Sequence, residues 1–353
     1  MSNAPLVTIA IPAYNAQRFL PQGLDSVRNQ TYQHIEILIA DDGSSDSTAS
    51  ICEDLAKIDS RIRVLHLPHQ GVGPTRNSLI ENAHGDFFYF CDIDDHIDPH
   101  LVEENVNSLE KNNLDVSFFG LTVENHTIGL SDSVSLKSHI MISNDQFKEF
   151  YCNELSVSPY GCGHMPTKFF RLSFLRPLYI NGIKFEHIPM HEDELFNLAI
   201  FKHITHACSL PLTLYQYVIY PKGNTTTSYR PNDINYSVKL YQQRIKLYSE
   251  WIMDNNKVLN AYREQLLIDI SYSIMKYEFY SQSNMTFSQN LKTISHALNL
   301  PEVRDCVSHC RIQLCDYPNS IFSKLIDHFF YRNRPLLFLL SRNARDIYRK
   351  LKK

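Results

Sequence analysis

The sequence predicts an α/β protein with a mostly parallel central sheet, followed by a C-terminal helical region. Three observations predict it. Apolar runs of strand length alternate with helical periods through the first 120 residues. Two of those runs end in clustered aspartates. From about residue 232 onward, Tyr, Leu and Ile recur every three or four positions.

The elements follow in order. Val7-Thr8-Ile9-Ala10-Ile11 is a β-branched run stopped by Pro12, which reads as a buried strand. Residues 17–29 bring Phe19, Leu20, Leu24 and Val27 to helical spacing. Ile35 to Ala40 is a second strand, ending at Asp41-Asp42-Gly43. Ser44-Ser45-Asp46-Ser47 then offers N-caps for a helix through Ile51, Leu55 and Ile58. Ile62 to Leu67 is a third strand, and Gly71-Val72-Gly73 turns into a helix over 75–83. Asp86 to Cys91 is a fourth strand, ending at Asp92-Ile93-Asp94-Asp95. A helix near 99–111 and a strand at 115–121 complete the unit. This rhythm implies a sheet covered on both faces, with right-handed crossovers that bring the C-terminal strand ends to one edge. Ligands bind outside that edge in such sheets. Both acidic clusters are therefore expected on one rim. Residues 122–230 read as turns and short strands, Tyr215-Gln216-Tyr217 among them, and Asn224-Thr225-Thr226-Thr227-Ser228 as a polar loop. The expected division is 1–230, with halves 1–121 and 122–230, and a helical domain at 231–353.

The bulk properties narrow the function. A chain of 353 residues, 43% hydrophobic and 20% charged, has globular proportions. A net charge of -4 gives no global field for nucleic acid. An anionic ligand would need a local cation or backbone amides. Leu6 to Pro12 is too short for a secretory signal and lacks a basic start. No apolar run reaches the roughly 20 residues of a membrane span. Eight cysteines without a CxxC pair suit free thiols in a reducing cytosol. Cys306, His309, Cys310 and Cys315 are types that bind zinc, although positions 306 and 310 also fit one buried helix face. The last thirty residues hold nine Lys/Arg against two Asp, around Pro335-Leu336-Leu337-Phe338-Leu339-Leu340. That pattern fits a basic amphipathic helix at residues 333–353, lying on the anionic inner face of a membrane, or a solvated terminal helix.

The chemistry-bearing residues cluster. Asp92, Asp94 and Asp95 put three carboxylates in four residues, and crowded like charges call for a neutralising cation. A hard divalent metal with oxygen ligands answers, and could bridge to a diphosphate. An acidic surface turn is the plain alternative. Asp41 and Asp42 lie too early for capping and can accept hydrogen bonds from a base or ribose. Pro12-Ala13-Tyr14-Asn15 could present backbone or a tyrosine face to a nucleobase. Gly71-x-Gly73-x-x-Arg76-Asn77 offers amides and a guanidinium to phosphate or ribose, but is not the dinucleotide fingerprint. His191-Glu192-Asp193-Glu194 opens a helix, where acids favour the N-terminus or supply a general base. The loop from Gly161 to Lys168 contributes His164 and Lys168 as acceptor-side or phosphate-side candidates.

With these pieces in order, the chain resembles a family 2 glycosyltransferase with the Rossmann-like glycosyltransferase A-type fold. The matching stretches are Val7 to Asn15, Asp41 to Asp46, Gly71 to Asn77, Gly85 to Asp95, and Glu192-Asp193 before Leu195-Phe196. They span roughly residues 5–220. The resemblance implies a single-displacement, inverting transfer of a sugar from a nucleotide-sugar, commonly a UDP-sugar, with Mn2+ or Mg2+. It puts Pro12, Tyr14 and Asp42 in the nucleoside pocket, and Asp92 against the ribose or donor sugar. It puts Asp94 and Asp95 in the metal and diphosphate motif, with Asp95 the foremost ligand, and makes Asp193 the base. By analogy the acceptor is a growing surface polysaccharide or lipid-linked oligosaccharide. One departure is clear: the tryptophan often found before the matching lysine is replaced by Pro166-Thr167.

Three rivals fit less well. A phospho-receiver domain needs an aspartate ending the third strand, where Leu65-His66-Leu67 stands. A nucleotidyltransferase needs a Gly-rich basic loop after the first strand, where Pro12-Ala13-Tyr14-Asn15 stands. A non-catalytic scaffold of the same fold has no use for Asp95 and Asp193.

Overall fold

The structure is a computed structural model that describes residues 4–126, 129–158, 161, 163–220, 232–251, 253–279, 286–312 and 321–351. The chain forms two compact units, Met1–Asn224 and Thr225–Lys353.

In the first unit, strands and helices alternate as the periodicity predicts. The order is β1 (Val7–Ala13), α1 (Leu20–Arg28), β2 (Ile35–Asp41), α2 (Thr48–Ile58), β3 (Ile62–His66), α3 (Val72–Asn82) and β4 (Phe87–Phe90). Then follow β5 (His96–Ile97), α4 (Leu101–Asn112), β6 (Val116–Asn125), β7 (Leu130–Val134), β8 (His139–Met141) and α5 (Asn144–Phe150). The unit closes with β9 (Lys168–Arg171), α6 (Leu172–Ile180), α7 (Glu192–Phe201) and β10 (Ala207–Ile219). Leu20, Leu24 and Val27 of α1 are fully buried, and Pro21 sits in the first turn, where its missing N–H costs nothing. Helix α4 stops at Asn113, whose φ of 50° suits a residue that tolerates the left-handed region.

One sheet runs through the unit in the order β3-β2-β1-β4-β9-β6-β10-β5, with β7 beside β6 and β8 beside β10. Strands β3, β2, β1 and β4 pair in parallel, so their C-terminal ends share a rim, as expected. The second half differs in detail. The strand expected at 115–121 does not join β4. The short strand β9 lies between them, antiparallel to both, with Phe88 opposite Phe170 and Val116 opposite Phe170. Four residues of loop-like context hide such a strand from periodicity. Strand β10 pairs in parallel with β6 through a register shift between Ser209 and Tyr215, and then antiparallel with β5. That bulge leads β10 back to the acidic rim. The core lies between the sheet and helices α1 and α4, where Val7, Ile9, Ile11, Ile37, Leu101 and Phe169 are buried.

The second unit is helical, as predicted from residue 232. Its helices are α8 (Asp233–Glu250), α9 (Asn256–Phe279), α10 (Phe287–Asn299), α11 (Pro301–His309), α12 (Ile321–Tyr331) and α13 (Pro335–Leu351). Helix α10 begins with a reciprocal capping box between Thr286 and Gln289. Among the described residues no helix is long and apolar enough to cross a membrane. The zinc reading finds no support there. Cys306 is buried in α11 and Cys310 just beyond it, and His309 Nδ1 bonds the Asp305 carbonyl. No group of three possible ligands forms among the described residues, and Cys315 lies outside them.

Candidate active site

The exits of β1 and β2 are tied together by short polar side chains. The amide of Asp42 donates to the Ala13 carbonyl at 2.8 Å. Asn15, with φ of 49°, donates its amide to Ser44 Oγ at 2.9 Å and accepts from the Ser45 amide at 2.9 Å. The capping expectation changes here. Ser44 and Ser45 hold Asn15, and Asp46 accepts the Thr48 amide at 3.0 Å at the start of α2. Asp41 accepts the Ser44 amide at 3.2 Å. Asp42 is buried, and its two oxygens accept the Gln70 and Gly71 amides, each at 2.9 Å. Its Oδ2 also lies 2.9 Å from His69 Nδ1. The imidazole of His69 stacks on Tyr14 with centroids 4.2 Å apart. Tyr14 remains 49% exposed on its other side, and Pro12 is half-buried beneath the strand exit.

The glycines of the 71–77 stretch serve the fold more than they offer amides. Gly71, with φ of 90°, gives its amide to Asp42. A Cβ on Gly73 would come within 2.2 Å of the Glu186 carbonyl, so only glycine lets that segment cross α3. Asn77 exchanges both ends of its amide with the Phe185 backbone at 2.9 Å. In this structure Gly71 and Asn77 clamp the 69–71 turn and the 185–187 segment.

Arg76 joins the two acidic clusters. The guanidinium is buried against Phe90 and Phe185, with Nη1 2.8 Å from Glu192 Oε1 and Nη2 3.0 Å from Asp92 Oδ1. Burial opposes its charge, but Asp92, Glu192 and Asp193 outweigh that and hold it above its ordinary value. Thus the end of β4 and the start of α7 meet around one fixed cation. An arginine suits this, since it stays protonated and presents a fork.

The three aspartates after β4 do different jobs. Asp92 faces Arg76. Asp95 is buried, and its oxygens accept the Tyr215 hydroxyl and the Val218 amide, the latter at 2.8 Å. Burial, then Asp94 and Asp92, push its carboxyl well above the ordinary range. Asp94 is half-buried, and burial followed by Asp92 raises it to about 6. A hard cation relieves that crowding. The donor set is all oxygen, without a three-ligand cage among the described residues. This fits a metal of the Mg2+ or Mn2+ type, held by one or two carboxylates and completed by substrate phosphates.

At the start of α7, His191 adopts a φ of 63° and the three following acids occupy the first turn. The positive helix end favours them there. Asp193 accepts the Glu194 amide at 2.8 Å. Burial, then Glu192, raise its carboxyl to about 7, against the opposing pull of Arg76. Such a group takes and releases protons near neutrality.

The 161–168 loop departs from the expectation of two acceptor-side groups. Lys168 is fully buried, with Nζ bonded to the His164 carbonyl at 2.6 Å, Thr167 Oγ1 at 3.2 Å and the Gly161 carbonyl at 3.3 Å. It holds the loop from within. Asn197 of α7 adds a bond to the Gly163 carbonyl at 3.0 Å. His164 packs edge-on to Tyr217 at 4.7 Å, and burial lowers it to about 4, so it is neutral at pH 7. Sequence reasoning missed His69, Phe185, Tyr215 and Val218 as partners. Only the strand assignment around Tyr215 hinted at one of them.

Fold and site together define a glycosyltransferase: parallel strands deliver acids to one rim, and an arginine links them to a carboxylate poised near neutrality. Comparison with known proteins agrees. Residues 8–170 match the profile of glycosyl transferase family 2. The putative glycosyltransferase EpsH of Bacillus subtilis is 30% identical over 270 residues, covering 74% of this chain and 73% of that protein. Residues 1–349 of TarS from S. aureus, solved with UDP-GlcNAc, superimpose with a TM-score of 0.60 at 17% identity, covering 98% of this chain and 91% of that one. A mannosyltransferase from Pyrobaculum calidifontis, solved with GDP-Man and Mn2+, gives a TM-score of 0.51 at 15% identity, covering 99% and 89%. The chain belongs to glycosyltransferase family 2.

Proposed function

We propose that this enzyme is an inverting, metal-dependent transferase that moves a sugar from a UDP-sugar to an acceptor hydroxyl, with Asp193 as general base. The observation that carries the reading is the Arg76 bridge between Asp92 and Glu192, which puts the base and the acidic loop at one site. The nucleoside would lie on the β1 and β2 exits, against Pro12 and the open face of Tyr14, near Asn15, Asp41 and Asp42. The resemblance made Asp95 the foremost metal ligand; because its oxygens accept the Tyr215 hydroxyl and the Val218 amide, we move that role to Asp94, with Asp92 beside it and Asp95 bracing the loop. When bound, the cation supplies positive charge to the diphosphate.

Asp193 takes the proton of the acceptor hydroxyl as that oxygen bonds to the anomeric carbon. The bond from that carbon to the diphosphate oxygen breaks on the opposite side, and the nucleoside diphosphate leaves with the electron pair. Arg76 stays charged and pairs with Glu192 beside the base. Neutral His164 adds no competing charge, and Lys168 and Asn77 fix the loops on either side. TarS was solved with UDP-GlcNAc, which supports a UDP-sugar donor, and the mannosyltransferase with Mn2+, which supports the metal. The acceptor is proposed to be a saccharide or lipid-linked saccharide in surface polysaccharide synthesis. The enzyme would work in the cytoplasm, peripheral to the inner face of the membrane.

The test is a screen of nucleotide-sugars with Mn2+, followed by Asp193→Asn on the donor that is turned over. Donor binding by calorimetry should persist, while transfer falls by about 10²–10⁴-fold. Near-normal turnover of Asp193→Asn would remove Asp193 as the base.

A further inference from the structure

Helices α12 and α13 form a hairpin, joined by Arg332, Asn333 and Arg334, with Phe330 against Phe338 at 6.1 Å. Each helix turns one face to the core of its unit. On α12 that face is Ile326 and Phe330, and on α13 it is Phe338, Leu339, Ser341 and Arg342, all buried. The faces turned outward are unlike those of an ordinary surface helix. On α13 they carry Leu336, Leu337 and Leu340, exposed by 46%, 42% and 48%. On α12 they carry Leu325 among the exposed Lys324 and His328, with exposed Arg332 just beyond its end. Three leucines within five residues, all turned away from a core, form an apolar stripe that soluble helices avoid.

Cations of the same unit are gathered as well. A cleft on this unit is lined by Arg311, Lys324, His328, Tyr331 and Arg332, with Asp327 the acid among its lining residues. Arg311 lies over the Tyr331 ring at 4.0 Å, and the Tyr331 hydroxyl is held by the Ile312 backbone, so this wall is fixed. The charge is local. The last thirty residues hold a formal +7, while the remainder of the chain holds -11. Exposed leucines and exposed cations on one hairpin suit an anionic lipid surface, where hydrocarbon takes the stripe and phosphate takes the charges. A second copy of this chain, with an overall charge of -4 and the same basic hairpin, offers no such complement on the hairpin itself.

We propose that the outward side of the α12–α13 hairpin docks on an anionic phospholipid bilayer, with the Arg311–Lys324–Arg332 cleft seating a lipid phosphate. This rests on the peripheral location proposed above and names the surface and ligand responsible. It does not need the transfer reaction.

The experiment sediments the full chain with vesicles of phosphatidylcholine, with and without phosphatidylglycerol, in the absence of donor. Binding should appear only with phosphatidylglycerol. The triple variant Lys324→Glu/Arg332→Glu/Arg334→Glu should lose at least about tenfold in affinity. Leu336→Ser/Leu337→Ser/Leu340→Ser should lose a similar factor, about tenfold, from burial of apolar area. Circular dichroism should confirm that both variants stay folded, and both should still turn over donor with a soluble acceptor. Equal sedimentation of wild type and folded variants would overturn the proposal. So would inorganic phosphate binding in the cleft without any vesicle binding, which would mark a soluble phosphate ligand. A wild-type dimer that the leucine variant dissolves, with no sedimentation by either, would overturn it in favour of self-association. A failure of the transferase reading would instead leave the sedimentation intact and remove turnover in every variant.

Discussion

The two acidic corners of the rim are built on opposite plans. At the end of β2, Asp42 is held by the protein itself: two backbone amides and an imidazole approach its two oxygens. Between β4 and α7, Asp92, Asp94, Glu192 and Asp193 gather around the single guanidinium of Arg76, and Asp94 and Asp193 are pushed towards neutrality. The first corner ties its carboxylate to the 69–71 turn. The second holds more negative charge than the protein compensates, and so keeps a capacity for a proton or a cation. The same contrast recurs between neighbours, since Asp95 is tied off by Tyr215 and Val218 while Asp94 is not.

The largest expected effect comes from removing the shared cation. Arg76→Ala should cost about 3–5 kcal/mol in urea unfolding, because Asp92 and Glu192 lose their partner in a buried setting. A loss below about 1 kcal/mol would mean that water already compensates these acids, and the two corners would no longer differ. Next is a paired comparison. Asp42→Ala should destabilise by about 1–3 kcal/mol, since two amides lose their acceptor. Asp94→Asn should leave stability level or raised, since it deletes a crowded charge, and should abolish metal-dependent donor binding. Equal destabilisation by both variants would break the contrast.

The smallest effect is in pH. Asp193 must be ionised to accept a proton, so kcat/KM should rise with pH and level off above about 7. The stability linkage has the opposite sense. A carboxyl raised in the folded state holds its proton more tightly there than in the unfolded chain. Its contribution is present at low pH and lost as pH rises through about 7. Asp193→Asn should therefore melt higher than wild type at alkaline pH, by a few °C at most, with the gap closing in acid. An unchanged gap from acid to alkaline pH would show that the carboxyl is not held up by burial.

Much of this was legible in the chain, for definite reasons. Periodicity marked β1 to β4, and parallel pairing follows from their alternation with helices, so the common rim of Asp42 and Asp92 was derivable. What escaped were matters of direction and distance. No pattern says which of Asp94 and Asp95 turns inward, because consecutive loop residues have no fixed period. Strand β9 is too short to signal itself, and so its place between β4 and β6 was hidden. Lys168 read as an acceptor-side or phosphate-side group because lysine is seldom buried, and its three oxygen partners come from a turn no propensity predicts. The Arg76 partners lie 16 and 116 positions away, beyond any local signal.

That last separation governs when the enzyme can exist. As the chain leaves the ribosome, Arg76 and Asp92 emerge close together, but Glu192 follows only after a hundred further residues. A fragment ending at residue 170, where the family profile stops, would hold β1 to β4 with the guanidinium half-matched. The second arm of this ion pair can therefore form only after the start of α7 has been made.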